Sequence, residues 1–578
     1  MDRVTAEPEI PALDRTAGPL PMSGAQRALY LVELLHPGTP MYNITVAVRL
    51  AGPLDVPRLR GAVAHVVARH EALRTTFVPS ADPPFEPVQR VGDLGVDLPV
   101  AELDSDGDAA ALQRAQTWAD EPFDLARGPL LRTRLLKTAP GRHLFVVTMH
   151  QLVSDGPSLQ VFFDDLARAY AGEPGARPLD VQFADYAAWQ RARPVDAEQL
   201  GWWRERLDGV PTVLRLPADK PRPAVAGPHG GTHRRTLPAE VMTPALTLAR
   251  QLRVTPFVLM LTAYATFLSR LAGVRQVLVG VPVSARDRVE LESLIGFFAT
   301  TLPVLVEAPA DRSFADLCRS VQDELLDVLS HSDVTMEQLA QELAPERDPG
   351  HAPLVQTFFS FEPEPVVSPR LAGLEATAVD LPPAGAKVDL DMQIFRAAAS
   401  GDDFDLTLTY RTDLFEADTV ARMADDFQRL LVAAVAEPKA AIGSLPAPAV
   451  PRTRSVAAPP QLRLDLPASS HAGLEQQLAG IWREVLDRAD IGLDDNFFDL
   501  GGTSFALVTV HTLIGARTGA RTSLVSLLEF PTIAALARHL SGEPRTEPAA
   551  PEPAGPARAA RLRERRNRLQ QRRPGADR

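Results

Sequence analysis

The chain has 578 residues, 45% hydrophobic and 23% charged, the proportions of an ordinary globular protein, and at roughly 150 residues per domain it has room for about four units. No run approaches the roughly 20 apolar residues of a membrane helix, the opening MDRVTAEPEIPALDRT lacks the apolar core of a secretory signal, and one cysteine, Cys318, excludes an internal disulfide framework. A net charge of −13 argues against a nucleic-acid partner, so the expectation is a cytoplasmic protein with neither nucleic acid nor membrane as partner.

Along the chain, HLFVVTM (His143 to Met149) is a short apolar run rich in β-branched residues and predicts a buried strand. After the loop His150 to Gly156, Leu159, Phe162, Phe163, Leu166 and Tyr170 share one helical face, and Pro157 suits a first turn where its missing N–H costs nothing. TPALTLARQLRVTPFVLMLTAYATFLSRLAG predicts two helices broken near Val254 to Pro256, and QVLVGVPV predicts another buried strand. Cys318, in SFADLCRSVQDELLDVL, is expected as a small core residue of a helix. This alternation indicates an α/β (α+β) architecture. No cluster with metal-ligand spacing stands out.

Pro446 to Ser470 is rich in Pro, Ala and Ser without periodicity and is expected as a linker. Beyond it Leu474, Leu478, Ile481, Trp482, Val485 and Leu486 recur at helical spacing, as do Phe505, Val508 and Ile514. PTIAALARHL places Pro531 at a first turn. This block is expected to be all-helical. A second Pro/Ala stretch follows Gly542, and the basic tail ARAARLRERRNRLQQRR is either a solvated extension or a short helix that docks an acidic partner surface.

Two segments carry chemistry. In DNFFDLGGTSF, Gly501 and Gly502 allow a tight turn, and Thr503 and Ser504 open an apolar-periodic helix. A hydroxyl there either caps the helix or presents an anionic group such as a phosphodiester to free N–H groups. In HQLVSDG, His150 and Asp155 lie in a strand-to-helix loop. They are either a catalytic pair or a structural histidine and a helix cap.

DNFFDLGGTSF, with FPTIAALARHL closing the block, resembles the phosphopantetheine attachment site of peptidyl carrier proteins from nonribosomal peptide synthetases. The larger block is similar to the condensation domain of those synthetases. The matching segments are MSGAQRALYLVELL, RHEALRTTF, FADYAAWQ, LPADKPRP, VGVPVSARDRVELESLIGFFATTL, HSDVTMEQL, RDPGHAPL and KVDLDM, in that order. The resemblance implies two chloramphenicol-acetyltransferase-like lobes in a V (18–178 and 179–445), a linker (446–470), a small all-α four-helix carrier domain (471–541) and a tail (542–578). Donor and acceptor arms would enter a tunnel from opposite faces. It further implies that Ser504 carries 4'-phosphopantetheine.

Aligned on Asp155 and Gly156, the family pattern His-His-three residues-Asp-Gly places its first His on His150 and its second, the one usually assigned to catalysis, on Gln151. Thr300 stands where an asparagine is common and Pro157 where an aromatic is frequent. The implied site is thus His150, Gln151, Asp155 and Gly156, with Arg286 as the structural ion-pair partner of Asp155. A histidine with pKa near about 6.5 can take the proton of an attacking amine, whereas a glutamine cannot titrate near neutrality. Losing general-base help costs about 10²–10⁴-fold. An α-amine, with a pKa of about 7.7–8.0, is already partly neutral at pH 7, so aminolysis of a thioester remains feasible and ester formation does not.

No adenylation domain separates the two blocks. The expected partners are therefore a phosphopantetheinyl transferase, an adenylating enzyme loading Ser504 in trans, an upstream donor carrier and a downstream synthetase docking through the tail. The alternative is a catalytically impaired scaffold that gates or recruits partners while the carrier presents its cargo. An epimerase-like relative is a minor third reading.

Overall fold

Runs of alternating or wholly apolar residues form three sheets, and one-faced helices cover them. The computed structural model describes residues 9–80, 86–103, 107–173, 178–343, 350–363, 369–397, 402–449, 471–502, 504–520 and 522–541. The greater part of the expected linker and the whole basic tail lie outside the described residues. Contacts divide the chain into a large unit, which holds all three sheets and also 503–511 and 523–529, and a small one made of 462–502, 512–522 and 530–578.

The first large sheet has five strands in the order Glu375–Asp380, Asn43–Ala51, Arg142–His150, Leu131–Ala139 and Val100–Glu102. Its central strand, Arg142–His150, contains the predicted HLFVVTM and is buried from Leu144 to His150. Wholly apolar strands of this kind are covered on both faces. On one side lies the helix Gly156–Ala171, whose Leu159, Phe162, Phe163, Leu166 and Tyr170 are all buried as the periodicity requires. A three-stranded sheet, Leu20–Pro21, Pro87–Val91 and Thr75–Pro79, adjoins this core.

The second large sheet has six strands in the order Ala299–Glu307, Gln276–Ser284, Thr357–Glu362, Leu390–Arg396, Phe404–Arg411 and Gly230–Leu237. The predicted helix pair is Ala239–Leu252 and Pro256–Ala272, broken where expected. The second helix is apolar nearly all round because it is buried nearly all round. Among the described residues no single helix is long and apolar enough to cross a membrane. Cys318 lies buried on the helix Phe314–Ser330, where burial pushes its thiol up to about 12.

The expected division at residue 178 is crossed by the chain. Strand Glu375–Asp380 pairs antiparallel with Asn43–Ala51, and Phe183, Tyr186 and Leu294 to Phe298 belong to the first core. Local periodicity assigns element type, but not which sheet a late strand joins.

The helical block contains His471–Leu486, Ser504–Thr518, Leu524–Glu529 and Ile533–Leu540. Leu478, Ile481 and Trp482 are buried. On Ser504–Thr518 the fully buried apolar residues are Leu507, Val510 and Ile514, whereas Val508 is half-buried. Pro531 is not in the first turn of its helix. Thr532 caps it, accepting from the Ala535 N–H at 3.2 Å, while the Pro531 carbonyl accepts from the Phe497 N–H at 2.8 Å. The proline serves the loop pairing, and a hydroxyl supplies the stronger cap.

Candidate active site

His150 ends the central strand, opposite Asn43. Its ring is 1% exposed. The Leu152 N–H donates to Nδ1 at 3.2 Å, so Nδ1 is unprotonated, and Nε2 donates to Glu33 Oε1 at 3.2 Å. Phe123 meets the ring edge-on, with centroids 6.0 Å apart. Both nitrogens are therefore committed, and the imidazole has none left for a substrate proton.

Gln151 opens the short 3-10 turn Gln151–Val153. Its N–H donates to the Tyr42 carbonyl at 2.9 Å, which fixes the backbone. Its side-chain Oε1 accepts from Lys387 Nζ at 2.7 Å. An ammonium only donates, so this contact settles the carboxamide's orientation: Oε1 faces Lys387, and the two N–H donors of Nε2 face elsewhere. Lys387 retains an exposed side chain, yet surrounding protein desolvates it and lowers its pKa.

Asp155 caps the helix Gly156–Ala171 and is 2% exposed. Oδ1 accepts from the Ser158 N–H at 3.0 Å, Ser158 Oγ at 2.6 Å and Arg286 Nη2 at 2.9 Å. Oδ2 accepts from Arg286 Nη1 at 2.7 Å and the Phe298 N–H at 3.0 Å. Arg286 also stacks over the Phe298 ring, its guanidinium carbon 4.2 Å from the centroid. The carboxylate is saturated by a bidentate arginine and backbone donors, and it ties the IGFF segment to the helix start. Gly156 begins that helix, and a side chain there would meet open space. Pro157 occupies the first turn. Thr300 lies half-buried in the strand Ala299–Glu307, opposite Val283.

Of the sequence-derived residues, His150, Gln151, Asp155 and Gly156 adjoin in one strand-to-helix turn, and Arg286 reaches it from the second sheet's segment. Glu33, Tyr42 and Lys387 were not singled out from sequence. Glu33 and Lys387 lie within segments quoted above as family-like, MSGAQRALYLVELL and KVDLDM, which is the signal that could have found them.

In the helical block, Ser504 is the first residue of its helix, and Thr503 lies outside the described residues. Gly501 has φ +97°, a conformation favouring glycine. A Cβ on Gly502 would come within 2.4 Å of the Phe497 ring, which itself packs on Trp482 with centroids 4.9 Å apart. The turn therefore delivers Ser504 to a helix N-terminus, where unpaired N–H groups suit a phosphodiester. That placement fits a phosphopantetheine arm.

A family model described as Condensation domain matches residues 16–449. The chain belongs to the condensation-domain family. A second model, Phosphopantetheine attachment site, matches residues 476–540, so a carrier domain bearing 4'-phosphopantetheine follows the condensation domain. Phosphinothricin tripeptide synthetase PhsC of Streptomyces viridochromogenes is 37% identical over 456 residues, 76% of this chain and 41% of that protein. The chain spans less than half the length of such curated relatives. Among solved structures, the X-domain from teicoplanin biosynthesis superposes with TM-score 0.68 at 28% identity, covering 76% of this chain and all of that one. The complex of the X-domain and OxyB from teicoplanin biosynthesis gives TM-score 0.66 at 28% identity, covering 76% of this chain and 98% of that chain. The chloramphenicol-acetyltransferase-like fold expected from the resemblance is thereby established.

Proposed function

We propose that this chain forms an amide bond between a donor acyl or peptidyl thioester and the amine of an aminoacyl thioester held on Ser504, with Ser504 loaded in trans by a separate adenylating enzyme. Amide formation is the general activity of condensation domains. The observation that carries the reading here is the orientation of Gln151. Lys387 holds its carbonyl, so two N–H donors are presented at the position where the family pattern has its second histidine.

The amine nitrogen attacks the thioester carbon, and the carbonyl electrons move onto oxygen. Gln151 N–H groups donate to that oxyanion, a contribution that for one such donor is worth about 10²–10³-fold. The C–S bond then breaks, and the departing donor thiolate takes the extra proton from the new amide nitrogen. No base at position 151 is needed, because the amine is partly neutral near pH 7. His150 and Asp155 hold the turn and transfer no proton in this scheme. A phosphopantetheinyl transferase and an upstream donor carrier are the required partners. A downstream synthetase docking through the basic tail, and a cytoplasmic setting, belong to the same proposal.

The test is intact mass in a single turnover. The arm is installed with an acceptor aminoacyl group, an acylated donor carrier is added, and the Ser504-bearing chain is weighed over time. Gain of the donor acyl mass above the enzyme-free rate supports amide formation, and Gln151→Leu should then lose about 10²-fold. A second reading, a recruiting scaffold, is favoured by the absence of a titratable group at position 151 and by the likeness to an X-domain also solved in complex with another protein. No gain in the native chain, with gain in Gln151→His, would establish that reading.

A further inference from the structure

On the adjacent strands Leu390–Arg396 and Phe404–Arg411 of the six-stranded sheet, one face lies in the apolar core and the other carries polar side chains. Leu390, Met392 and Ile394 are at most 1% exposed within the core, so Asp391 and Gln393 alternate onto the other face. Asp391 stands directly opposite Thr409 and Gln393 opposite Thr407 on the neighbouring strand. Both threonines are buried, at 3% and 4% exposure. Asp391 Oδ1, Thr407 Oγ1 and Thr409 Oγ1 are all enclosed and have no hydrogen-bond partner among the described residues. Asp391 Oδ2 accepts from Gln393 Nε2 at 3.0 Å. Three adjacent orphan oxygens on one sheet face are an unusual expense for a folded chain, since each costs about 1–3 kcal/mol when unsatisfied. Lys387, four residues before Asp391, interacts with it electrostatically and donates to Gln151. Lys387 thus connects Gln151 to the start of the strand Leu390–Arg396, which carries Asp391.

We propose that Asp391, Thr407 and Thr409 form the seat for the acceptor's primary amine, receiving its N–H groups while Gln151 donates to the carbonyl it attacks. Three acceptor oxygens match the donors of an amine or ammonium. A thioester offers the Asp391 carboxylate no donor, so the carboxylate is the part of the group that selects an amine. Burial pushes the Asp391 carboxyl up to about 6, so near pH 7 it is largely an acceptor-only carboxylate. The Asp391 carboxylate in the seat favours a protonated amine and the positive charge of Lys387 beside it opposes that, so the pair recognises the amine without adding a net charge. The seat thus selects an amine-bearing acceptor and holds it beside Gln151. This rests on the proposed reaction for its purpose, but its binding prediction does not depend on turnover.

The test uses the full chain and two stable probes: alanine amide-linked to aminopantetheine, with a free amine, and its N-acetylated counterpart. Calorimetry on the native chain should show the free-amine probe binding at least about 10-fold tighter, and Asp391→Asn should abolish that preference. Thr407→Val with Thr409→Val should reduce it, which keeps the test open if the Asp391 variant fails to fold. Equal binding of both probes by the native chain, binding of neither, or an unchanged preference in folded Asp391→Asn would overturn the proposal. Selective binding without any acyl transfer would leave the seat standing and refute the proposed reaction instead.

Discussion

Replacing Asp391 by Asn should stabilise the fold at neutral and alkaline pH. The group facing Asp391 with opposite charge is Lys387, which lowers its pKa; Gln393 donates to it and also lowers it; burial raises it and wins. Burial, with a smaller contribution from Asp391, raises the Tyr264 phenol well above its ordinary value, so it stays neutral throughout this range. A folded-state pKa above the unfolded value means that protonation favours folding. That contribution is fully present below the ordinary 3.8 and is lost as pH rises through about 6. The full difference corresponds to about 3 kcal/mol against the ionised form at pH 8. Residual exposure of Asp391 reduces this to about 1–2 kcal/mol. Urea unfolding of both proteins at pH 5, 6, 7 and 8, followed by tryptophan fluorescence, reads the difference from the midpoint and slope. The Asn variant should gain on the native chain as pH rises and match it near pH 4. A variant less stable than the native chain at pH 8, or a difference independent of pH, would make Asp391 a structural partner and remove the strain on which the reasoning depends.

Asp155→Ala and Arg286→Ala should each cost about 3–5 kcal/mol, because each leaves a buried charge uncompensated. The double variant should cost much less than the sum, and additive losses in urea unfolding would contradict the pairing. Gly502→Ala should force Phe497 off Trp482, destabilise the carrier by about 1–3 kcal/mol and slow modification of Ser504, read as the rate of phosphopantetheine mass gain with a transferase. Cys318, buried and with its thiol pushed up to about 12, should resist alkylation at pH 8 until denaturant unfolds the helix. Rapid labelling of the folded chain would show the helix to open.

Element type was legible wherever the apolar period was long. The helix Gly156–Ala171, the break between Ala239–Leu252 and Pro256–Ala272, and the central strand all follow from spacing and proline. The structural part of the site was also legible, since an Asp before Gly-Pro at a helix start has a local reason to be there. Long-range choices were not. Nothing in EATAVD says that Glu375–Asp380 crosses to pair with Asn43–Ala51, because strand pairing is decided by the whole sheet. Pro531 showed the limit of single-residue rules: its fixed φ suited a first turn, yet its carbonyl was used by Phe497 and Thr532 took the cap.

The sequence pattern also points the eye at a histidine, and the geometry moves attention away from it. His150 satisfies both ring nitrogens within the fold, and Asp155 has every oxygen occupied, so neither is free to act on a substrate. On the proposed reading, chemistry resides in groups whose hydrogen-bonding capacity is unspent. Those are the Nε2 donors of Gln151 on one side and the orphan oxygens of Asp391, Thr407 and Thr409 on the other. Donors suit a developing oxyanion and acceptors suit an amine, which are the two ends of one bond-forming event. A buried group left unsatisfied costs stability, and a ligand that supplies the missing partner would recover that cost. The loss of a titrating side chain at position 151 is therefore not by itself evidence of a dead site. On the proposed reading, unsatisfied groups that are kept despite their cost distinguish an adapted site from an abandoned one, and the Asp391 and Gln151 variants test which this is.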